Sequence, residues 1–221
     1  MDQVNLVMGG AKSFDILSFS ETWLNDMVTD DEILMPGYNC VRRDRQRKAD
    51  GGVAIYCRDS VNFAVREDLN NANEAVWIQV NRKNCTPLVV GCIYRPPDQP
   101  IDNFIDNFSE SLSKIDSGFD KVVPGDFNID FSVGRRNANS SQKRLLKEIT
   151  ELHDLKQVIE SPTFVTEHSE FLMDLCFTNA QQKITESDVI DPGLSDHSLV
   201  YCVMKSGRYR APPKNDPISL V

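Results

Sequence analysis

The sequence predicts an α/β fold, a four-layer sandwich in which two packed mixed β-sheets are flanked by helices. Three observations lead to this prediction. Short apolar segments recur along the chain, two longer segments have helical periodicity, and the two kinds of segment do not alternate strictly. The 221 residues, 40% of them hydrophobic, suit one domain with a sizeable core. We assign this domain to residues 1–205 and a disordered tail or linker to 206–221, a polar segment interrupted by prolines.

Each element follows from a local pattern. Short runs rich in β-branched and aromatic residues predict strands at 14–19, 52–58, 62–66, 75–80, 88–94, 121–123, 171–177, 183–190 and 198–204. The strand at 62–66 is expected to pair with the one at 52–58. Apolar residues at helical spacing predict amphipathic helices at 101–115 and 145–152. Trp23 is expected to pack in the core.

The composition argues against a membrane-spanning protein, a secreted protein and a zinc ribbon. No apolar stretch approaches the length of a membrane span, and the N-terminal segment MDQVNLVMGG lacks the regions of a secretory signal. We therefore expect an intracellular protein, in the nucleus or cytoplasm, with no membrane partner. The six cysteines include no Cys-x-x-Cys pair, which argues against a zinc ribbon and favours buried, reduced thiols.

The distribution of charge is more informative than its sum. A net charge of −9 argues weakly against a nucleic-acid partner, because phosphates attract positive charge. Basic residues nevertheless concentrate in two segments, 42–48 and 135–147. Beside an acidic rim whose charge a metal offsets, such segments could hold a phosphodiester backbone. The alternative is that both segments are solvated surface.

Polar side chains stand where the predicted strands begin or end. These residues are Glu21, Tyr94, Asp126, Asn128, Asp196 and His197. If the strand ends meet at one rim of the sandwich, they gather carboxylates, an amide and an imidazole. Such a set of groups suits the hydrolysis of a phosphate ester with a divalent metal.

The motifs that contain these residues occur in a definite order. They are Ser20-Glu21-Thr22-Trp23-Leu24, Gly51-Gly52-Val53-Ala54-Ile55-Tyr56, Tyr94-Arg95-Pro96-Pro97, Gly125-Asp126-Phe127-Asn128, Asp174-Leu175-Cys176-Phe177-Thr178-Asn179 and Ser195-Asp196-His197-Ser198. The ordered set resembles the endonuclease/exonuclease/phosphatase superfamily. The Glu-Thr-Trp-Leu and Tyr-Arg-Pro-Pro variants resemble the apurinic-endonuclease-like domain of jockey-type non-LTR retrotransposons. The resemblance covers roughly residues 4–205.

This resemblance implies a metal-dependent phosphodiester hydrolase, most directly a DNA endonuclease domain that nicks a target site. The implied cofactor is Mg²⁺, with Mn²⁺ as the alternative, and no organic cofactor is expected. Two other interpretations stay open. One is a phosphodiesterase or phosphatase of the same superfamily that acts on a lipid or inositol phosphate. The other is a catalytically inactive, truncated remnant that at most binds nucleic acid.

By the same resemblance, Glu21 is the metal ligand and Asp196 supports the metal site. Asp126 orients or deprotonates the attacking water, and Asn128 hydrogen-bonds the phosphate through its amide. A carboxylate oxygen is a suitable ligand for a hard cation such as Mg²⁺. The competing interpretations are a charge at a helix N-terminus for Glu21 and an Asx-turn at a strand end for Asp126 and Asn128.

The resemblance assigns the remaining roles to His197, Asp174 and Tyr94. His197 contacts the scissile phosphate and stabilises its charge, while Asp174 holds the imidazole by a hydrogen bond. Tyr94 places its hydroxyl near the phosphate or the leaving oxygen. The competing interpretations are a structural histidine and a tyrosine that ends a strand before Pro-Pro.

The start of the chain departs from the family pattern. Members of the superfamily open with a strand that carries an asparagine of the site, further upstream than the 20 residues that precede Glu21 here. Residues 1–12 are expected to form the helix that follows that strand. We therefore expect the first strand to be missing, with an unpaired sheet edge and weak or no nuclease activity.

Overall fold

The computed structural model describes residues 14–45, 50–132, 140–191, 193 and 195–205. Its strands are β1 (Ile16–Ser20), β2 (Tyr38–Arg43), β3 (Val53–Arg58), β4 (Phe63–Val65), β5 (Glu74–Val80), β6 (Leu88–Tyr94), β7 (Asp120–Asp126), β8 (Lys156–Gln157), β9 (Phe164–Val165), β10 (Glu170–Phe171), β11 (Asp174–Thr178), β12 (Ile184–Ile190) and β13 (Leu199–Met204). The helices are α1 (Ile101–Ser113) and α2 (Ser140–Leu152), with short 3-10 helices at Asp30–Ile33, Glu67–Leu69 and Gln181–Lys183. The helix expected at 1–12 and the tail at 206–221 lie outside the described residues.

The largest sheet has six strands in the order β4-β5-β6-β7-β11-β8. It is mixed, as predicted, because β6 and β7 are parallel while the other neighbours are antiparallel. Every residue of the central strand β6 is buried, which explains why its sequence is a continuous apolar run instead of an alternating one. The chain passes from β6 to the parallel β7 through α1, as a parallel pair requires.

A second sheet has the order β1-β3-β2, and β12 pairs with β13 separately. The pairing predicted for 62–66 is wrong: β4 binds β5, whereas β3 lies between β1 and β2. The chain therefore crosses from one sheet to the other between β3 and β4. Among the described strands, β1 and β13 each have one hydrogen-bonded neighbour.

The helices cover one face of the six-stranded sheet. Phe104 and Phe108 of α1 contact Phe127, which in turn contacts Phe177 of β11. The opposite face packs on the second sheet, where the thiol of Cys92 lies 3.4 Å from the carbonyl oxygen of Phe19. The core thus has one layer under the helices and one between the sheets.

The outer face of the second sheet carries a small apolar cluster. In the described part of the chain, Leu17, Ala54 and Tyr56 pack there against Met35, next to the 3-10 helix Asp30–Ile33. A mixed α/β fold with several sheets and two helices is confirmed. The second sheet was expected to be mixed, but it is antiparallel at both of its described pairings. A fourth, helical layer remains a prediction. No helix among the described residues is long and apolar enough to cross a membrane.

Candidate active site

One level of the six-stranded sheet carries polar residues on four successive strands. The register places Glu74 of β5 opposite Tyr94 of β6, Tyr94 opposite Asp126 of β7, and Asp126 opposite Asp174 of β11. Directly paired residues project from the same face of a sheet, so these four side chains form a cross-sheet row. The row lies where β6 and β7 end and where β5 and β11 begin. The predicted strand-end positions of Tyr94 and Asp126 therefore fall at one rim.

His197 joins the row from the loop before β13. Its Nδ1 lies 3.0 Å from Oδ2 of Asp174, and a bridge to Phe164 holds its backbone. The imidazole also packs edge-on against the Phe164 ring at 4.9 Å between centroids. A hydrogen bond with Asp174 raises the pKa of His197 above its usual value, outweighing the effect of burial. The pair is therefore arranged to hold a charged imidazolium.

Asp126 is the most buried carboxylate of the row. Its residue is 3% exposed, and burial, followed by the charge of Asp174, raises its pKa to about 7. One ligand atom from each of Asp126, Asp174 and His197 lies within 4.8 Å of the others. Two carboxylates facing one imidazole leave an excess of negative charge. Oxygen donors with uncompensated charge suit a divalent cation, so the residues present fit a metal such as Mg²⁺.

Glu21 reaches the same site from the end of β1. It is exposed, and its charge acts on both Asp126 and His197. Burial first, and then a hydrogen bond with Glu21, raise the pKa of Tyr94 above its usual value. The Tyr94 hydroxyl, which like any tyrosine is protonated near neutral pH, donates its one hydrogen to the Glu21 carboxylate.

The loop that carries Glu21 is fixed by the Gly51-Gly52 motif. Backbone hydrogen bonds join Thr22 N to Gly52 O at 3.3 Å and Trp23 N to Gly51 O at 2.9 Å. Gly52 has a φ of +85°, and a Cβ there would lie 2.6 Å from the hydroxyl oxygen of Thr22. Only glycine combines that backbone conformation with such a close approach. The two motifs, thirty residues apart, are therefore the two sides of one contact.

Trp23 corrects an expectation from the sequence. The residue is 61% exposed, so its predicted place in the core is wrong. Its φ is +55°, and that of Glu21 is +52°, in the left-handed region that non-glycine residues adopt rarely. The loop directs the indole outward while it holds the Glu21 carboxylate near Tyr94.

Asp126 and Asn128 form an Asx-turn at the end of β7. The Asn128 backbone N–H donates to Asp126 Oδ1 at 2.9 Å, and its φ is +49°. The Asn128 side-chain nitrogen donates to Asp126 Oδ2 at 3.1 Å and to the carbonyl oxygen of Arg95 at 3.0 Å. Both hydrogens of this amide have partners within the protein. A contact with phosphate would require one of these hydrogen bonds to exchange.

Asp196 is not part of the cross-sheet row. It is exposed and lines a cavity of about 310 Å³ together with Ser161, Asp188 and Ser198. Its backbone oxygen accepts a hydrogen bond from Val165 at 2.9 Å. Asp196 is not one of the three residues whose ligand atoms cluster, and its support of a metal site remains a prediction.

Two residues that position the site were not singled out from the sequence. The buried guanidinium of Arg95 donates to the carbonyl oxygens of Phe127 at 3.3 Å and Asn128 at 3.4 Å, which fixes the turn after β7. The hydroxyl of Thr163 accepts the backbone N–H of Asp174 at 2.9 Å. Arg95 stands within Tyr-Arg-Pro-Pro, so the motif was the available signal. No motif in the sequence contains Thr163, so nothing there indicated its role.

The first basic segment is largely engaged within the protein. Arg42 donates to the carbonyl oxygen of Val28 and lies 3.0 Å from Asp30, while Arg43 donates to two backbone carbonyls. Arg45 binds Glu74 at 2.5 Å, and its guanidinium carbon lies 5.7 Å from the centre of the Tyr94 ring. These side chains therefore support the fold and the rim. Arg47, Lys48, Arg135 and Arg136 lie outside the described residues.

The His197–Asp174 pair leads to the first testable prediction. In an Asp174→Asn variant we expect the pKa of His197 to fall, because the hydrogen bond with Asp174 is the largest cause that raises it. An NMR titration of the imidazole protons in the metal-free protein measures this change. The exposed His168 serves as the internal control. An unchanged titration of His197 would contradict the assigned pairing.

Known proteins share both the fold and part of the sequence. A family model described as endonuclease-reverse transcriptase matches residues 88–201. No curated protein matches the chain. The endonuclease domain of TRAS1, a telomere-specific non-LTR retrotransposon, is a similar solved structure, with a TM-score of 0.74 and 16% identity over 92% of this chain and 91% of that chain.

Two further solved structures have the same fold. One is a 3′-5′ exonuclease from Neisseria meningitidis, with a TM-score of 0.66 and 16% identity over 92% of this chain and 93% of that chain. The other is an AP endonuclease from Archaeoglobus fulgidus, with a TM-score of 0.63 and 18% identity over 86% of this chain and 88% of that chain. At these identities the likeness concerns the fold alone.

The family match and the geometry involve the same part of the chain. Residues 88–201 contain Tyr94, Asp126, Asp174 and His197, and they supply the centre of the six-stranded sheet. They make up more than half of the sequence. The chain belongs to the endonuclease-reverse transcriptase family, within the endonuclease/exonuclease/phosphatase superfamily.

Proposed function

We propose that the chain is a divalent-metal-dependent phosphodiester hydrolase, the DNA endonuclease domain of a non-LTR retrotransposon protein. The observation that carries this proposal is the grouping of Asp126, Asp174 and His197, whose ligand atoms lie within 4.8 Å of one another at a strand-end rim. These residues are far apart in sequence and come from β7, from β11 and from the loop before β13. Membership of the family and the fold shared with the TRAS1 endonuclease domain support the choice of DNA as substrate.

The proposed cofactor is Mg²⁺, with Mn²⁺ as the alternative. Glu21 is the proposed ligand, with Asp126 nearby and Asp196 as the predicted outer support. When bound, the cation neutralises phosphate charge and lowers the pKa of water. Burial first, and then the charges of Asp174 and Glu21, raise the pKa of Asp126. The effect of the two charges is the one expected of a site with excess negative charge. The raised pKa of His197 disfavours the neutral imidazole that a metal requires, so we assign His197 to the phosphate instead.

Asp126 is suited to orient the attacking water and to accept its proton. A carboxylate with a pKa of about 7 lies near the value at which a general base is effective at neutral pH. The backbone N–H and the amide of Asn128 both donate to the Asp126 carboxylate, so its orientation is fixed before a substrate arrives. Preorganisation of this kind avoids reorganisation during the reaction.

His197 and Tyr94 are suited to the charge that develops on the phosphate. With Nδ1–H donated to Asp174, the charged imidazole has Nε2–H to offer to a phosphate oxygen. The Tyr94 hydroxyl provides a second donor for the phosphate or the leaving oxygen once its hydrogen bond with Glu21 exchanges. Donors aimed at developing charge in a partly buried site contribute strongly to catalysis. The Asn128 amide completes the proposed set if one of its internal hydrogen bonds exchanges.

Incubation of the purified chain with supercoiled plasmid tests the proposal. We expect nicked circles with Mg²⁺ or Mn²⁺, and none with EDTA or in an Asp126→Ala variant. His168→Ala is the matched control, because this exposed histidine lies in none of the motifs. A folded chain that nicks no plasmid with either metal would be the inactive remnant. Hydrolysis of sphingomyelin or inositol phosphates without nicking would identify another phosphodiesterase of the superfamily.

A further inference from the structure

Two thiols from different sheets meet beneath the active site. The Sγ atoms of Cys176 in β11 and Cys202 in β13 lie 4.0 Å apart. Cys176 is buried and Cys202 is partly buried, and both are free thiols. A disulfide requires an S–S distance of about 2.05 Å. The two sulfur atoms are therefore in van der Waals contact and need to approach by about 2 Å to bond.

The two cysteines lie on the strands that position the His197–Asp174 pair. Cys176 follows Asp174 by two residues, so both side chains project from the same face of β11. β13 begins two residues after His197. Within the described residues, β11 pairs with β7 and β8 while β13 pairs with β12, so β11 and β13 meet through side chains. A bond between the sulfur atoms would be a covalent connection between these two strands.

We propose that Cys176 and Cys202 are an oxidation site, at which a peroxide converts the two thiols into a disulfide that links β11 to β13. The proposal goes beyond the phosphodiesterase function and does not depend on it. Other cysteines differ in setting: Cys57 and Cys92 are buried, and Cys92 hydrogen-bonds to the carbonyl oxygen of Phe19.

The reaction balances in two steps. Cys202 is the more accessible thiol, and a hydrogen bond from Cys176 lowers its pKa, which favours the reactive thiolate. Its sulfur attacks the peroxide, the O–O bond breaks, and a sulfenic acid and one water form. The Cys176 sulfur then attacks the sulfenic sulfur, and the hydroxyl leaves as a second water. Two thiols lose two protons and two electrons, and hydrogen peroxide is reduced to two waters.

Treatment of the native chain with hydrogen peroxide, followed by peptide mapping without reductant, tests the proposal. We expect a peptide pair linked through Cys176 and Cys202, loss of two of the six free thiols, and recovery of both with dithiothreitol. The melting temperature should rise by several degrees, because the link closes a loop in the unfolded chain. The same increase should be absent in Cys202→Ser.

Cys85→Ser is the control variant, because Cys85 lies in the turn between β5 and β6 and should leave the cross-link intact. Far-UV circular dichroism before and after oxidation establishes that the chain remains folded. Three results would overturn the proposal. They are six free thiols after oxidation, Cys202 converted only to sulfinic acid, or a link that forms only after the chain has been denatured.

Discussion

Replacement of His197 by alanine is expected to reduce the rate of metal-dependent plasmid nicking about 10²–10³-fold, the effect expected for loss of one group that stabilises developing charge. The imidazole is the charged donor of the site, because Asp174 raises its pKa. Its side chain is 40% exposed, so its removal should leave the fold and the binding of DNA largely intact. Single-turnover nicking rates and a gel-shift assay measure the two effects separately.

His168→Ala is again the control for this substitution, since it removes an exposed imidazole from the turn between β9 and β10. Melting curves of both variants should match the unmodified chain within a few degrees. If His197→Ala nicks as fast as the unmodified chain, another group stabilises the phosphate. If instead it melts far lower, the histidine is a structural residue and its assigned role is wrong.

The metal-free protein is expected to lose stability as pH rises through about 7. Burial raises the pKa of Asp126 from 3.8 to about 7, so the stability this group contributes is fully present below about 3.8 and is lost as pH rises through about 7. The pKa of His197 is also raised, so the stability that this group contributes is likewise lost as the pH rises. The difference between the two pKa values of Asp126, 3.8 and about 7, corresponds to at most about 4 kcal/mol of folding free energy.

Thermal melting in EDTA at several pH values measures this loss. For a chain of this length we expect the melting temperature to fall by about 5–10 °C between about pH 5 and pH 8. Mg²⁺ should restore more stability at the higher pH, because the cation binds the deprotonated carboxylates of the folded state. In Asp126→Asn the melting temperature should depend less steeply on pH, and nicking should be lost. A slope unchanged by that substitution would show that Asp126 is not the titrating group.

Local patterns were sufficient where an element is a continuous apolar run or has one regular apolar face. β6 occupies the predicted 88–94, and α1 starts at the predicted residue, because a continuous apolar run and an apolar helical face each depend on neighbouring residues. β2 was missed because the buried apolar signal is weak in YNCVRR, where Arg42 and Arg43 use backbone carbonyls as partners. Its arginines resembled a surface charge segment.

Pairing across the chain could not be predicted in the same way. The wrong partner for β4 arose because two adjacent strands in sequence more often pair than separate into different sheets. Trp23 was placed in the core on its residue type, yet the glycine contact turns its loop outward. The approach of Asp126 and His197 was expected from their placement at strand ends, and that of Asp174 and His197 from the family resemblance. The register that produces it is a property of the assembled sheet.

The cross-sheet row makes the site a late product of folding. Its members come from positions 74, 94, 126 and 174, so the carboxylates approach one another only after strands distant in sequence have paired. Pairing of that kind is slow, because loop closure precedes the gain in contacts. Before that step Asp126 would titrate as an ordinary carboxyl group, and afterwards it binds a proton near neutral pH. Uptake of protons during metal-free refolding would therefore time the completion of the sheet.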